Sequence, residues 1–214
     1  MQIISRNDLS DLFKSVSEIM TAHSEELCEM DAKMGDGDLG LTMKKGFSAL
    51  PDILKDIPEE NPGKALMKAG MKMTSVVPST MGTLMSSGIM TGGKSISDKD
   101  SIDASTFVTY LFGFAEGLKK RGKCSPGDRT VLDAIQPAAE SAKAMLDSNP
   151  NADLPEIVSA ALDGAKKGLE ATKGMTPKFG KAAVFADRAK GVIDQGAYAG
   201  MLMIQGYVDY IHSK

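Results

Sequence analysis

The chain has no tryptophan, only two histidines and two cysteines, and aromatic residues fill just 5% of its 214 positions. So few aromatics make a stacking platform for single-stranded nucleic acid an unexpected function. His23 falls inside a first helix and His212 near the C-terminus, which poorly supplies a zinc site or a histidine-based nucleophile relay. Cys28 and Cys124 form neither a disulfide framework nor a metal spacing, which fits a reduced, cytoplasmic protein. No apolar run approaches the ~20 residues that span a bilayer. The opening Met-Gln-Ile-Ile-Ser-Arg-Asn-Asp lacks the basic-then-apolar layout of a signal peptide. A formal charge of -3 gives no electrostatic reason to expect nucleic acid or a membrane as partner.

What is present is ordinary for a globular protein: 42% hydrophobic and 25% charged residues, enough to bury a real core. The 15 methionines read as adaptable core packing. Apolar residues recur at three- and four-residue spacing, and no segment alternates as a strand would. The pattern predicts eight helices. The first runs from an Asn7-Asp8 cap to about Glu29, and the second from Leu41 to Leu50, stopped by Pro51. The third starts at Asn61-Pro62 and the fourth spans Thr80 to Met90, ended by Gly92-Gly93. The fifth carries Phe107 to Leu118, the sixth runs from Val131 to Asp147 with a kink at Pro137, and the seventh starts at Asp153. Residues 174–190 read as a long ordered loop before an eighth helix beginning at Asp194. No shift in composition divides the chain, so the expectation is one all-α domain over residues 1–214.

The stretch Asp31-Ala-Lys-Met-Gly-Asp36-Gly-Asp38-Leu-Gly-Leu-Thr42 stands out. If its three carboxylates converge, each pair about 5 Å apart repels by roughly 3 kcal/mol at an effective dielectric near 20. A hard cation between them, Mg²⁺ or Ca²⁺, would offset that repulsion, and oxygen-only donors suit it. A solvated acidic turn is the other reading, since Asp and Gly are ordinary turn residues.

Three familiar patterns fail on context. Gly35 to Gly40 matches G-x-G-x-x-G, but a helix precedes it where a strand is needed. Gly88 to Ser95 matches the P-loop pattern, but the next residues, Ile-Ser-Asp-Lys-Asp-Ser, are too polar for the buried helix that pattern requires. An EF-hand counted from Asp36 would place Gly40, Leu41 and Phe47 at its fifth, sixth and twelfth positions, which excludes it.

Four segments in order carry a resemblance across nearly the whole chain. They are the Gly-Asp-Gly-Asp loop, the hydroxyl-rich segment 74–83, the turn Arg121-Gly-Lys-x-x-Pro-Gly-Asp-x-Thr130, and Asp194-x-Gly-Ala197. Together they resemble the nucleotide-binding L subunit of dihydroxyacetone kinase (the DhaL family), also found fused in single-chain ATP-dependent kinases. The resemblance implies a barrel of about eight antiparallel helices that binds ADP or ATP with magnesium, as two ions. It implies Asp31, Asp36 and Asp38 as metal ligands and catalytic groups, with the metal bridging phosphate oxygens. Leu39, Gly40, Leu41 and Thr42 match a phosphate-touching segment, and Ser79 and Thr80 match the phosphate loop. Gly122 and Val131 fall where the adenine and ribose pocket is built. Lys181 takes the place of a catalytic basic residue near the phosphates, and Asp194 with Gly196 lies where the site closes over the nucleotide.

The plainer readings stay open beside these: Ser79, Thr80, Asp128, Thr130 and Asp194 as helix caps, and Lys181 as a solvated charge. The sequence departs from the family pattern at Leu39 and Thr42, where His and Asn are usual. It also departs at Val77 to Gly82, at Lys181 for Arg, and at Gln195 for Pro. The implied activity is phosphoryl transfer to a small hydroxy-ketone held on a separate, DhaK-like substrate-binding subunit, whose histidine binds it covalently. The phosphoryl source would be free ATP or a phosphotransferase-system protein, and a homodimer is a further expectation. A non-catalytic nucleotide-binding adaptor is the alternative.

Overall fold

The structure, a computed structural model, describes residues 2–184 and 186–214. Among these, eleven α-helices form. They are α1 (Leu9–Ala22), α2 (Ser24–Ala32), α3 (Leu39–Lys55), α4 (Pro62–Val76), α5 (Thr80–Ser95), α6 (Ala104–Gly122), α7 (Leu132–Ser148), α8 (Leu154–Ala171), α9 (Gly180–Val184), α10 (Ala186–Ala189) and α11 (Gln195–Ser213). The only strand-like pairing among the described residues is a single bridge between Ile4 and Ile102.

Eight of these are long ring helices, and they explain the predicted count. Going round in chain order, α1 packs on α3, α3 on α4, and so on through α8 and α11, and α11 returns to α1. Links such as the three residues between α4 and α5 are too short for anything but reversal, so neighbours run antiparallel. The ring encloses one contiguous core whose largest members are Phe13, Phe47, Phe107, Phe114 and Tyr207. Phe13 meets Tyr207 edge-on at 5.9 Å, and the buried Tyr110 and Tyr207 hydroxyls pair at 3.1 Å. The two chain ends close the ring: Gln2 donates to the Ile211 carbonyl at 2.7 Å, and Lys214 reaches Asp8 at 2.6 Å.

Four expectations need correction. The first helix breaks at His23, which leaves helical geometry (φ −100°, ψ 11°) and hydrogen-bonds Glu26 at 2.8 Å; α2 is the resulting spur. Pro51 does not stop α3, whose buried stripe continues through Leu50 and Leu54. Gly92 and Gly93 do not end α5: Gly92 lets it approach Tyr110 of α6, and Gly93 lets it approach α4, since a Cβ on Gly93 would lie 2.6 Å from the Gly63 carbonyl oxygen. The predicted loop 174–190 contains two short helices, α9 and α10, and its Phe185 lies outside the described residues.

Asn61 and Asp153 cap the helices expected of them, Asp103 adds a cap, and Asp8 makes no side-chain cap bond to α1 but accepts from Ser5. Asn61 accepts from the Lys64 amide, Asp103 from Thr106, and Asp153 forms a reciprocal capping box with Glu156.

Candidate functional site

Because neighbours alternate in direction, every second ring helix starts at the same end. These are α3, α5, α7 and α11, and the residues that open each of them line one cleft of ≈ 370 Å³. Leu39 opens α3, Ser79 and Thr80 open α5, Thr130 and Val131 lead into α7, and Asp194, Gln195 and Gly196 open α11. The starts of α3, α5 and α11 offer N–H groups and a partial positive charge to an anion, whereas at α7 Asp133 takes the Thr130 amide and the Thr130 hydroxyl takes that of Leu132.

An acidic cluster faces this ring of starts. Asp31, in the last turn of α2, and the loop residues Asp36 and Asp38 bring carboxylate oxygens within 4.8 Å of one another. Asp31 is buried, with one oxygen accepting from the Gly37 amide (2.9 Å) and the other from the Gln195 side-chain amide (3.2 Å). Lys181, at the start of α9, donates to Asp36 at 3.0 Å and holds its carboxyl below the usual range. Three carboxylates, with no nitrogen or sulfur donor among them, fit a hard divalent cation. Such an ion would let the acidic loop and the helix starts grip one polyanion together.

Asp194 is buried at the α11 start and caps it, accepting from the Ala197 amide at 2.8 Å; burial pushes its pKa up to about 6. Its own backbone N–H donates to the buried Thr172 hydroxyl at 2.9 Å.

The cleft brings together Asp31, Asp36, Asp38, Leu39, Thr42, Ser79, Thr80, Val131, Lys181, Asp194 and Gly196. Gly40, Leu41 and Gly122, also expected to touch nucleotide, do not line it. Gly40 is pressed against the Ser24 carbonyl, where a Cβ would collide, so it serves the α2–α3 contact. Leu41 is 62% exposed and borders a neighbouring hollow with Val76 and Pro78. Gly122 sits behind Leu84, whose side chain faces the cleft in its stead.

Sequence reasoning missed Arg129, Gln195, Met34 and Phe179, all of which line the cleft. Gln195 had a signal, since it stands where the family pattern has proline. Neither histidine lines the cleft: His23 is engaged by Glu26 and Tyr198, and His212 pairs with Ser159 at 3.0 Å. A larger depression of ≈ 790 Å³ between α6 and α7 mixes Glu116, Lys119, Lys143 and Asp147 and lacks an acidic cluster.

With this geometry in view, comparison with known proteins is informative. The chain is 29% identical over 202 residues to the ADP-binding subunit DhaL of the PEP-dependent dihydroxyacetone kinase of Escherichia coli, spanning 94% of this chain and 95% of that one. It is 30% identical over 195 residues to an ADP-binding subunit DhaL of Listeria innocua, spanning 91% and 89%. Human triokinase/FMN cyclase matches at 26% over 203 residues, where 94% of this chain covers 35% of that enzyme. The fold also matches the crystal structure of the C. freundii dihydroxyacetone kinase in complex with AMP-PNP and Mg²⁺, with a TM-score of 0.69 and 24% identity over 98% of this chain and 35% of that one. The DAK2 domain model matches residues 33–209, which contain Asp36 and Asp38 and all four helix starts, and the chain therefore belongs to the DAK2 domain family.

Proposed function

We propose that this chain is the nucleotide-binding subunit of a dihydroxyacetone-kinase-like enzyme. It binds ADP or ATP with magnesium and passes a phosphoryl group to a small hydroxy-ketone held on a separate, DhaK-like subunit. The observation that carries this reading is the meeting of three carboxylates with four helix starts in one cleft. The helix starts suit the oxygens of a nucleotide tail and the carboxylates its metal, and together they suit both at once.

The division of labour follows from the residues. Asp31, Asp36 and Asp38 would hold the metal, as two ions, and bound magnesium would neutralise charge on the transferring phosphoryl group. The N–H groups opening α3, α5 and α11 orient phosphate oxygens, with the Ser79 and Thr80 hydroxyls beside them. Ser79 accepts from the Gly82 amide at 3.0 Å, which fixes its oxygen at the helix start and leaves its O–H to donate. Lys181 adds an exposed cation at the mouth. Positioning and charge are what phosphoryl transfer chiefly requires. With no histidine among the described residues of the cleft, activation and capture of the ketone fall to the partner subunit.

Both DhaL relatives are named PEP-dependent, which favours a retained ADP rephosphorylated by a phosphotransferase-system protein over free exchange of ATP. The domain boundaries 1–214, a cytoplasmic setting and a homodimer complete the reading. Calorimetry of the purified chain, first freed of any retained nucleotide with chelator, tests it with ADP: binding is expected with Mg²⁺, lost with chelator and at least tenfold weaker in Asp36→Asn. Affinity indifferent to both metal and Asp36 would refute it.

A further inference from the structure

Arg129 sits in a turn between α6 and α7, yet it is 3% exposed and its backbone is left-handed at φ 61°. That region is unfavourable for a long side chain and is kept where a site imposes it. Of its five N–H donors, Nη2 gives one to the Val192 carbonyl at 2.8 Å. Nη1 gives one at 3.9 Å to the sulfur of Met34, a weak acceptor. Nε is buried with no partner at all.

The carboxylates nearby are already engaged by others. Asp128 is held by Lys178 at 2.5 Å and the Ser125 amide at 2.7 Å. Asp133 accepts from the Gly127 amide at 2.6 Å and the Thr130 amide at 2.8 Å. Asp194 accepts from Ala197, and Arg129 feels it only through space. A guanidinium this buried, unmatched by any carboxylate, is costly to keep unless something anionic completes it.

We infer that Arg129 is a phosphate-binding residue of this cleft, whose planar fork takes oxygens of the nucleotide's phosphate chain when its weak contact with Met34 is given up. The geometry supports it directly, because Arg129 lines the same cleft as Ser79, Thr80 and Gly196. The inference rests on the nucleotide reading above and adds to it a buried cation at the floor, distinct from the exposed Lys181 at the mouth.

The test compares Mg²⁺–ADP with adenosine, which lacks phosphates, by calorimetry on the full chain freed of retained nucleotide with chelator. If the wild-type chain binds neither, the nucleotide reading itself has failed, and this inference with it. If it binds both, Arg129→Met should lower the ratio of ADP to adenosine affinity by about tenfold or more, the scale of a charge-assisted hydrogen bond. Arg129→Lys, which keeps charge but loses the fork, should fall between and serves alone if the methionine variant does not fold. An unchanged ratio in the folded variants would reduce Arg129 to a tie between Met34 and Val192 and overturn the inference.

Discussion

The ammonium of Lys181 and the carboxylate of Asp36 lie 3.0 Å apart, joining the start of α9 to the acidic loop across 145 positions of sequence. The lysine therefore claims one of the oxygens that a divalent cation would use. Lys181→Met should bind Mg²⁺ more tightly in the absence of nucleotide, by up to about fivefold, because an ion pair exposed on both sides is worth little. Added salt should narrow the gap, and nucleotide affinity should fall. Weaker Mg²⁺ binding in the variant would show instead that Lys181 helps assemble the acidic cluster.

Asp8 anchors the seam between the first and last helices. Burial opposes its ionisation, but hydrogen bonds from Lys214, Ser5 and Tyr210 outweigh that and hold its carboxyl at about 2. This value lies below the ordinary 3.8, so the stabilisation is full above that pH and disappears as pH falls toward 2. Asp8→Asn should therefore cost about 2 kcal/mol in urea unfolding at pH 7 and almost nothing at pH 2. An equal loss at both pH values would assign the effect to packing.

Gly93 and Gly63 press backbone on backbone between α5 and α4. Gly93→Ala should destabilise by about 1–3 kcal/mol through overpacking, while ADP affinity of the folded chain stays unchanged. Gly174, which has nothing within 4 Å of its Cβ position, makes the control. Equal melting temperatures for the two alanine variants would mean that α4 and α5 can simply shift apart.

Much of this molecule could be read from residue order alone, for reasons of range. Asn61-Pro62, Asp153 with Glu156, and Asp194 act within a few residues, so cap and helix start were visible locally. The acidic loop was visible because its carboxylates fall within eight residues, Asp31 to Asp38. Pro51 and Gly92-Gly93 misled because the same residues that end helices also permit bends and close approaches, and only the neighbouring helix decides between them. Arg129 reads as a polar turn residue. Its burial is imposed by Met34, 95 positions earlier, and Val192, 63 positions later, and nothing in Asp-Arg-Thr announces them.

The helix that begins at the cleft, α11, runs 19 residues away from it, roughly 28 Å at 1.5 Å per residue. It ends beside Asp8, where the chain sets out. Gln2 and Lys214 thus both lie at the pole remote from the cleft. A tether attached there, such as an engineered label, would leave the entrance of the cleft clear.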